Sequence, residues 1–322
     1  PIGIVSATAT SWSTENFTLD PWGDITTTGQ ANIWRKSGFY SWLSNGVSSN
    51  NMTPINEFQD FFNGGSGNPN WKKTGQITLY NVFSKALETA DLYNIHSTTK
   101  MGYNNSKVIL AGNPAKYNEI AYSGAEDSFY KGAELFFGGN IRLGTASLNS
   151  DIAHTGTKSL SLSPGANGFV YSASINSLQN NRNYVVSAWV RPADGDISGA
   201  KLYYQVDNGN ETYNTPSFQK QAAGWYLLEM TIPANAVNGG YLKIGIKNTG
   251  SNTFYADDFR FQPLNAAVSA FVYDAVGQLS HILDNNNMFL KFEYDNAGRL
   301  IKTFKEVLGK ANTPLIKEYA YN

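Results

Sequence analysis

Apolar and polar residues alternate in short runs along most of this chain, and stripes with helical spacing are rare. In Tyr241–Ile246, Leu242, Ile244 and Ile246 fall on one face, while Lys243, Gly245 and Lys247 fall on the other. In the run from Tyr184, Tyr184, Val186, Ala188 and Val190 share a face, opposite Val185, Ser187, Trp189 and Arg191. Six further strand-like runs lie between Gly124 and Pro263: 133–137, 158–162, 169–175, 201–206, 226–232 and 253–261. Short strands separated by Gly, Asn and Pro turns predict a two-sheet sandwich or jelly roll. Helical spacing is confined to Asn56–Phe62 and Phe83–Asp91. The fold class expected is all-β.

A repeat flanks the sandwich. FVYDAVGQL starts at Phe271 and FEYDNAGRL at Phe292, so both read aromatic-x-Tyr-Asp-x-x-Gly-x-Leu. Tyr273 and Tyr294 end strands. Asp274 and Asp295 start turns by accepting backbone N–H bonds, and Gly277 and Gly298 supply the positive φ of those turns. Each unit is a hairpin that must stack laterally on the next to bury its apolar face. Tyr321 and Asn322 stand in the Tyr-Asp places of a degenerate third copy, after an insertion around Gly309–Pro314. Weaker copies end at Tyr80-Asn81, Tyr103-Asn104 and Tyr122-Ser123. Three regions follow: a Trp-rich region with degenerate hairpins over 1–123, a sandwich over 124–263, and C-terminal repeats over 264–322.

Composition narrows the function. The 322 residues hold 24 Lys and Arg against 25 Asp and Glu, for a net charge of −1, without basic blocks. This argues against nucleic acid and against a polybasic membrane surface. The absence of cysteine excludes disulfides, thiolate metal sites and a Cys nucleophile. No apolar run approaches the ~18 residues of a membrane span. The opening Pro-Ile-Gly lacks Met and a signal peptide, as expected of a piece of something longer. Carboxylates do not pair with a His or a strand-end nucleophile in a catalytic pattern, so a non-enzymatic role is expected.

Tyr273-Asp274, Gly277, Leu279, Tyr294-Asp295, Gly298, Arg299 and Leu300 resemble the YD repeats of the Rhs family. The stretch from Trp71 through ITLYN to KYNEIAYSGAED is similar to the segment preceding an inserted module in Rhs-like surface proteins of the Bacteroidetes. The module resembles a galactose-binding-like jelly roll of the carbohydrate-binding-module type, on Gly124–Asp127, the His154–Leu160 segment and Tyr255–Phe259. The resemblance implies a secreted, cell-surface protein exported by the type 9 system, serving adhesion or gliding. Its partners would be that translocon or cell-surface proteins. Two good repeats cannot close a toxin-enclosing shell, which sets a toxin-delivery fragment behind a carbohydrate-binding module on a β scaffold.

Three candidate sites follow. The resemblance implies a structural Ca²⁺ held by Glu126, Asp257 and the backbone carbonyl of Lys158, oxygen ligands that suit this hard cation. Tyr255, Asp257, Phe259 and Phe261 are expected on one inward face. Trp189, Tyr203 and Tyr204, with Tyr171 and Trp225, are candidates for an aromatic platform on which a glycan ring stacks. Burial against the hairpin array is the competing reading for these aromatics. The terminal strand around Tyr319 and Tyr321 offers an open edge to a partner strand.

Overall fold

The computed structural model describes residues 6–15, 17–19, 25–26, 33–42, 61, 70–179 and 181–321. The chain forms two compact units, residues 1–97 and 98–322. In the first, β1 (Thr8–Ser13), β4 (Arg35–Trp42), β5 (Trp71–Asn81) and β6 (Ala86–Asp91) pair in that order, all antiparallel. The short β2 (Thr18–Leu19) joins β5 in parallel and β3 (Ile25–Thr26) in antiparallel fashion. Phe83–Asp91, expected to be helical, is instead a turn followed by β6. Asn81 Oδ1 accepts from the N–H groups of Phe83 and Lys85, which starts a hairpin where a helix would need free donors. Asn56–Phe62 falls outside the described residues except for Phe61.

The second unit has a hairpin sheet and a sandwich. β7 (His96–Gly102) pairs with β8 (Lys107–Asn113), and β8 pairs directly with β23 (Ala267–Tyr273). β24 (Leu279–Leu283), β25 (Phe289–Tyr294), β26 (Leu300–Lys305) and β27 (Leu315–Glu318) continue the meander. The whole sandwich is therefore spliced between two neighbouring strands of the hairpin sheet. Tyr122, grouped with the repeat by its sequence, is not part of the meander. It lies in β9 (Ala121–Ser123), which pairs with a sandwich strand.

The repeat residues behave as a unit. Asp274 Oδ1 accepts from Val276 N at 3.0 Å and Gln278 N at 2.8 Å, and Gly277 has φ 84°. Asp295 does the same for Ala297 and Arg299, with Gly298 at φ 76°. The turn at the opposite end of the sheet is chemically identical. Asp284 accepts from Asn286 and Met288, and Asn287, at φ 61°, stands in the glycine place. The tyrosines also share one job. Tyr273 donates to Val108 O, Tyr294 to Leu279 O and Tyr321 to Leu300 O, each a carbonyl of the strand before.

The sandwich has a front sheet and a back sheet. The front sheet runs β10 (Phe129–Lys131), β11 (Glu134–Phe137), β12 (Ile141–Arg142), β15 (Asn167–Ser174), β21 (Tyr241–Asn248), β17 (Ala200–Val206), β18 (Thr212–Tyr213). The back sheet runs β13 (Ser147–Asn149), β14 (Ser159–Leu162), β22 (Phe254–Pro263), β16 (Tyr184–Pro192), β20 (Trp225–Ile232), β19 (Gln221–Ala222), with β9 also on β22. Phe137, Ile141, Phe169, Tyr171, Leu202, Ile244 and Ile246 from the front meet Leu160, Val186, Ala188, Leu228, Phe254 and Phe259 from the back. Burial of this shared apolar surface drives the layering.

Candidate functional site

The back face of the sandwich is not free. Trp189, a platform candidate with burial against the hairpin array as the competing reading, is fully buried. It packs with Ala222, Trp225, Leu227, Tyr255 and Met288 under the β24–β25 turn, and its Nε1 donates to Asn287 O at 2.7 Å. Arg260 donates to the carbonyls of Asp284 and Asn285 in the same turn. The expected inward face of β22 is corrected by a bulge. Asp258 has φ 48° and the pairing with β16 slips there, so the face switches. Phe254 and Ala256 point into the core before it, Phe259 and Phe261 after it, while Tyr255 lies on the back-face cluster with Trp189.

That bulge builds a buried polar knot. Asp257 Oδ2 accepts from the backbone N–H groups of His154 and Thr155, and Asp257 Oδ1 from that of Asp258. Asp258 accepts from Tyr122 and Thr155 through Oδ1 and contacts His154 Nδ1 through Oδ2 at 2.7 Å. His154 Nε2 meets Glu306 Oε1 at 2.7 Å, and the imidazole stacks on Trp189 with ring centres 4.3 Å apart. Burial alone would lower the His154 pKa. The bonds to Asp258 and Glu306 outweigh it and lift it to about 9, so the ring is an imidazolium at neutral pH. Burial, with the Asp258 charge added, pushes Asp257 well above the ordinary carboxylate range.

The residues named for calcium do not fit that ion. Glu126 does reach the 156–158 turn, but what faces it are donors. The N–H groups of Thr157 and Lys158 both bond Oε1 at 2.6 Å, and Thr157 Oγ1 bonds Oε2. Asp257 is committed to three other N–H groups. Amide hydrogens stand where a cation needs oxygens. Among the described residues, no group of three or more His, Asp or Glu side chains is arranged to hold a metal.

The front face is open and carries a row of side chains across all seven strands. Phe129 pairs with Phe136, Phe136 with Arg142, and Arg142 with Val170. Gly245 lies opposite the bulge at Phe169–Val170 and pairs with Tyr203, which pairs with Tyr213. Directly opposed residues share a face, so these seven form one line. Gly245 is the notch in that line. A Cβ there would lie 3.0 Å from both a ring carbon and the hydroxyl of Tyr203, so the phenol leans over the glycine toward the middle of the sheet. The Tyr203 ring is buried and its hydroxyl has no hydrogen-bond partner. Burial, then the charge of Glu211, push its pKa up, while Arg142 acts in the opposite sense.

Polar groups border the row. Lys243 Nζ lies 5.9 Å from the Tyr203 ring centre and 3.4 Å from Gln205 Oε1. Glu211 accepts from Lys247 at 2.7 Å and from the Tyr213 hydroxyl. Burial raises the Glu211 pKa, but the bonds from Lys247 and Tyr213 prevail and hold it below its ordinary value. Arg142 pairs with Glu134 at 2.8 Å. A depression of about 280 Å³ lies at this end, lined by Lys131, Glu134, Phe136, Asn140, Arg142, Val170 and Ser172. Asn140 Oδ1 is a second buried oxygen without a partner.

Of the five aromatics expected to form a platform, the structure places only Tyr203 on this face; Tyr171 lies in the core and Trp225 in the back-face cluster. Tyr204 points inward against the core, and Trp189 is in the other sheet. Arg142, Phe136 and Tyr213 were missed. They sit in strands of two to four residues, too short for alternation to show. At the terminal edge, Tyr319 N bonds Ile301 O of β26, and Tyr321, with Arg299 4.7 Å over its ring, stays about half exposed. Leu315 and Ile316 of β27 are exposed on the same edge strand.

No family model matches the chain, and no curated protein matches it. Among solved structures, the chain is similar to the CBM22-1 xylan-binding domain from Paenibacillus barcinonensis Xyn10C at 16% identity, covering 47% of this chain and 92% of that one, with a TM-score of 0.28. It is also similar to a family 16 carbohydrate-binding module at 17% identity over 37% of this chain and 85% of that one, TM-score 0.25. A tailspike protein domain of bacteriophage CBA120 is 8% identical, covering 47% of this chain and 20% of that one, TM-score 0.28.

Proposed function

We propose that this chain is a non-catalytic glycan-binding protein, with the front face of the sandwich as the binding surface and the hairpin sheet as its mount. The carrying observation is the row from Phe129 to Tyr213. Aromatic rings at both ends flank a glycine notch into which a phenol with an unpaired hydroxyl leans. Sugar rings offer C–H faces to aromatic side chains and hydroxyls to amides, carboxylates and ammonium groups. Gln205, Lys243, Glu211, Glu134 and Asn140 supply the second set. A chain several sugars long fits a line across seven strands better than a single sugar does.

The test is a glycan array with the full chain, followed by Tyr213→Ala and Phe136→Ala. Each is expected to weaken binding of the retained glycan about fivefold or more, the loss of one stacking contact. Silence across plant, algal and bacterial glycans refutes the reading.

A second reading concerns delivery. β27 leaves Leu315 and Ile316 exposed at the end of the meander, where a translocon or cell-surface partner could add a strand. On this reading the edge serves export or anchoring, and the protein works outside the cell. Glu318→Pro removes an N–H that faces away from β26 and would block such pairing, and unchanged secretion of that variant removes the reading.

A further inference from the structure

Glycine follows asparagine at Asn45, Asn63, Asn167, Asn208 and Asn238. In such a pair the glycine has no side chain to shield its backbone nitrogen, and its free backbone lets that nitrogen reach the side-chain carbonyl carbon of the asparagine before it. Two things decide whether it does: how firmly the backbone is held, and whether the glycine N–H is already bonded. The pairs at Asn45 and Asn63 lie outside the described residues. The other three differ in both respects.

Asn167 is pinned in β15. It pairs with Lys247, its N–H donates to Thr145 Oγ1 at 2.9 Å, and its carbonyl accepts from Thr145 N and Ala146 N at 2.9 Å. Asn208 is exposed in the β17–β18 turn, but Gly209 N donates to Val206 O at 3.0 Å. Asn238 and Gly239 are exposed in the loop before β21, and among the described residues the Gly239 N–H meets no acceptor. The Asn238 amide is held by one bond, from Nδ2 to Asn235 O at 3.0 Å. Gly239 also touches a clamp. It has φ 139°, and a Cβ there would lie 2.6 Å from Asp207 Oδ2. Asp207 Oδ1 accepts from Gly240 N at 3.0 Å and Tyr241 N at 2.8 Å, and Asp207 N donates to Tyr241 O. These bonds tie the end of β17 to the start of β21.

We propose that Asn238 is a site of spontaneous deamidation and that its products loosen this clamp. Gly239 N attacks Asn238 Cγ. The new N–Cγ bond closes a cyclic imide as the Cγ–Nδ2 bond breaks. Water carries the Gly239 proton to the leaving nitrogen, which departs as ammonia. A further water molecule then opens the ring. Cleavage of the bond to Cγ gives aspartate, and cleavage of the bond to the backbone carbonyl gives isoaspartate, with an added methylene in the main chain. No oxidant or reductant takes part. Either product adds a carboxylate one residue before the glycine that lies against Asp207, and the two like charges repel.

Peptide mapping of the full chain, aged at mildly alkaline pH, follows the mass gain of an amide becoming an acid at each pair. Labelling by isoaspartate methyltransferase is a second readout. Asn238 is expected to convert about five- to tenfold faster than Asn208, the factor set by the one hydrogen bond that Gly209 must break, while Asn167 stays intact. In urea the three rates should converge, because the fold alone separates them. Asn208 or Asn167 converting as fast as Asn238 in the folded chain overturns the assignment. So does an Asn238 that converts in urea and stays intact when folded. Amide hydrogen exchange at Gly240 and Tyr241 reads the clamp. It should quicken about fivefold on ageing of the wild type and stay constant in Asn238→Gln, whose longer side chain disfavours the ring. Conversion at Asn238 with unchanged exchange at both amides overturns the loosening.

Discussion

The imidazolium of His154 makes the attachment of the sandwich to the hairpin sheet pH-dependent. His154→Gln keeps a polar side chain of similar reach but cannot carry charge. The folded pKa of about 9 stands against 6.5 for a free imidazole. A shift of that size corresponds to about 3 kcal/mol of stability at pH values below 6.5. The sign follows from the folded state binding the proton more tightly. The contribution is full below pH 6.5, declines as pH rises toward 9, and is gone above it. Urea unfolding of wild type and His154→Gln, followed by tryptophan fluorescence, measures this at intervals from pH 6 to 10. Trp189 stacks directly on the imidazole and reports the site. The gap between the two proteins should be about 3 kcal/mol at pH 6 and shrink toward the alkaline end. Taking the difference cancels groups that titrate alike in both. A gap that is constant, or that widens with pH, refutes the charged knot.

Three further outcomes follow from the geometry. Gly245→Ala places a methyl 3.0 Å from the Tyr203 ring and from Phe169 O, so it should cost about 1–3 kcal/mol in thermal stability and weaken glycan binding together with it. Trp189→Phe leaves the buried Asn287 carbonyl without its donor and should cost about 1–3 kcal/mol by chemical denaturation, with no loss of glycan affinity because the residue lies behind the core. Asp284→Ala removes the acceptor for two backbone N–H groups of the β24–β25 turn, and faster amide hydrogen exchange at Asn286 and Met288 is expected.

The strands of the sandwich were readable because they alternate over five residues or more, and Leu242, Ile244 and Ile246 do face the core. The turn chemistry at Asp274 and Asp295 was readable because Gly follows at a fixed offset. The equivalent turn at Asp284 escaped notice, since Asn287 takes the left-handed conformation in place of Gly. The face of β22 was misread because one bulged residue at Asp258 reverses every side chain after it, and no pattern in the sequence marks that slip. Exposure and burial stayed open for Trp189 for a different reason. Its strand alternates as expected, but the face opposite the core is covered by a turn about a hundred residues later, and periodicity within a strand carries nothing about what lands on it. The site lost Arg142 and Tyr213 to strand shortness, while Tyr203 survived because its strand is long enough to pattern.

The splice between β8 and β23 has a mechanical consequence. The chain leaves and rejoins the meander on adjacent strands, and Arg182 grips both sides of that junction through Pro114 O and Asn265 Oδ1. A module tethered at one point alone would swivel when tugged. Here the His154–Glu306 and Trp189–Asn287 bonds add a second anchorage at a distance along the same sheet. Tension applied at the front of the sandwich is therefore shared between two footings, and the module transmits load as a bracket rather than as a hinge.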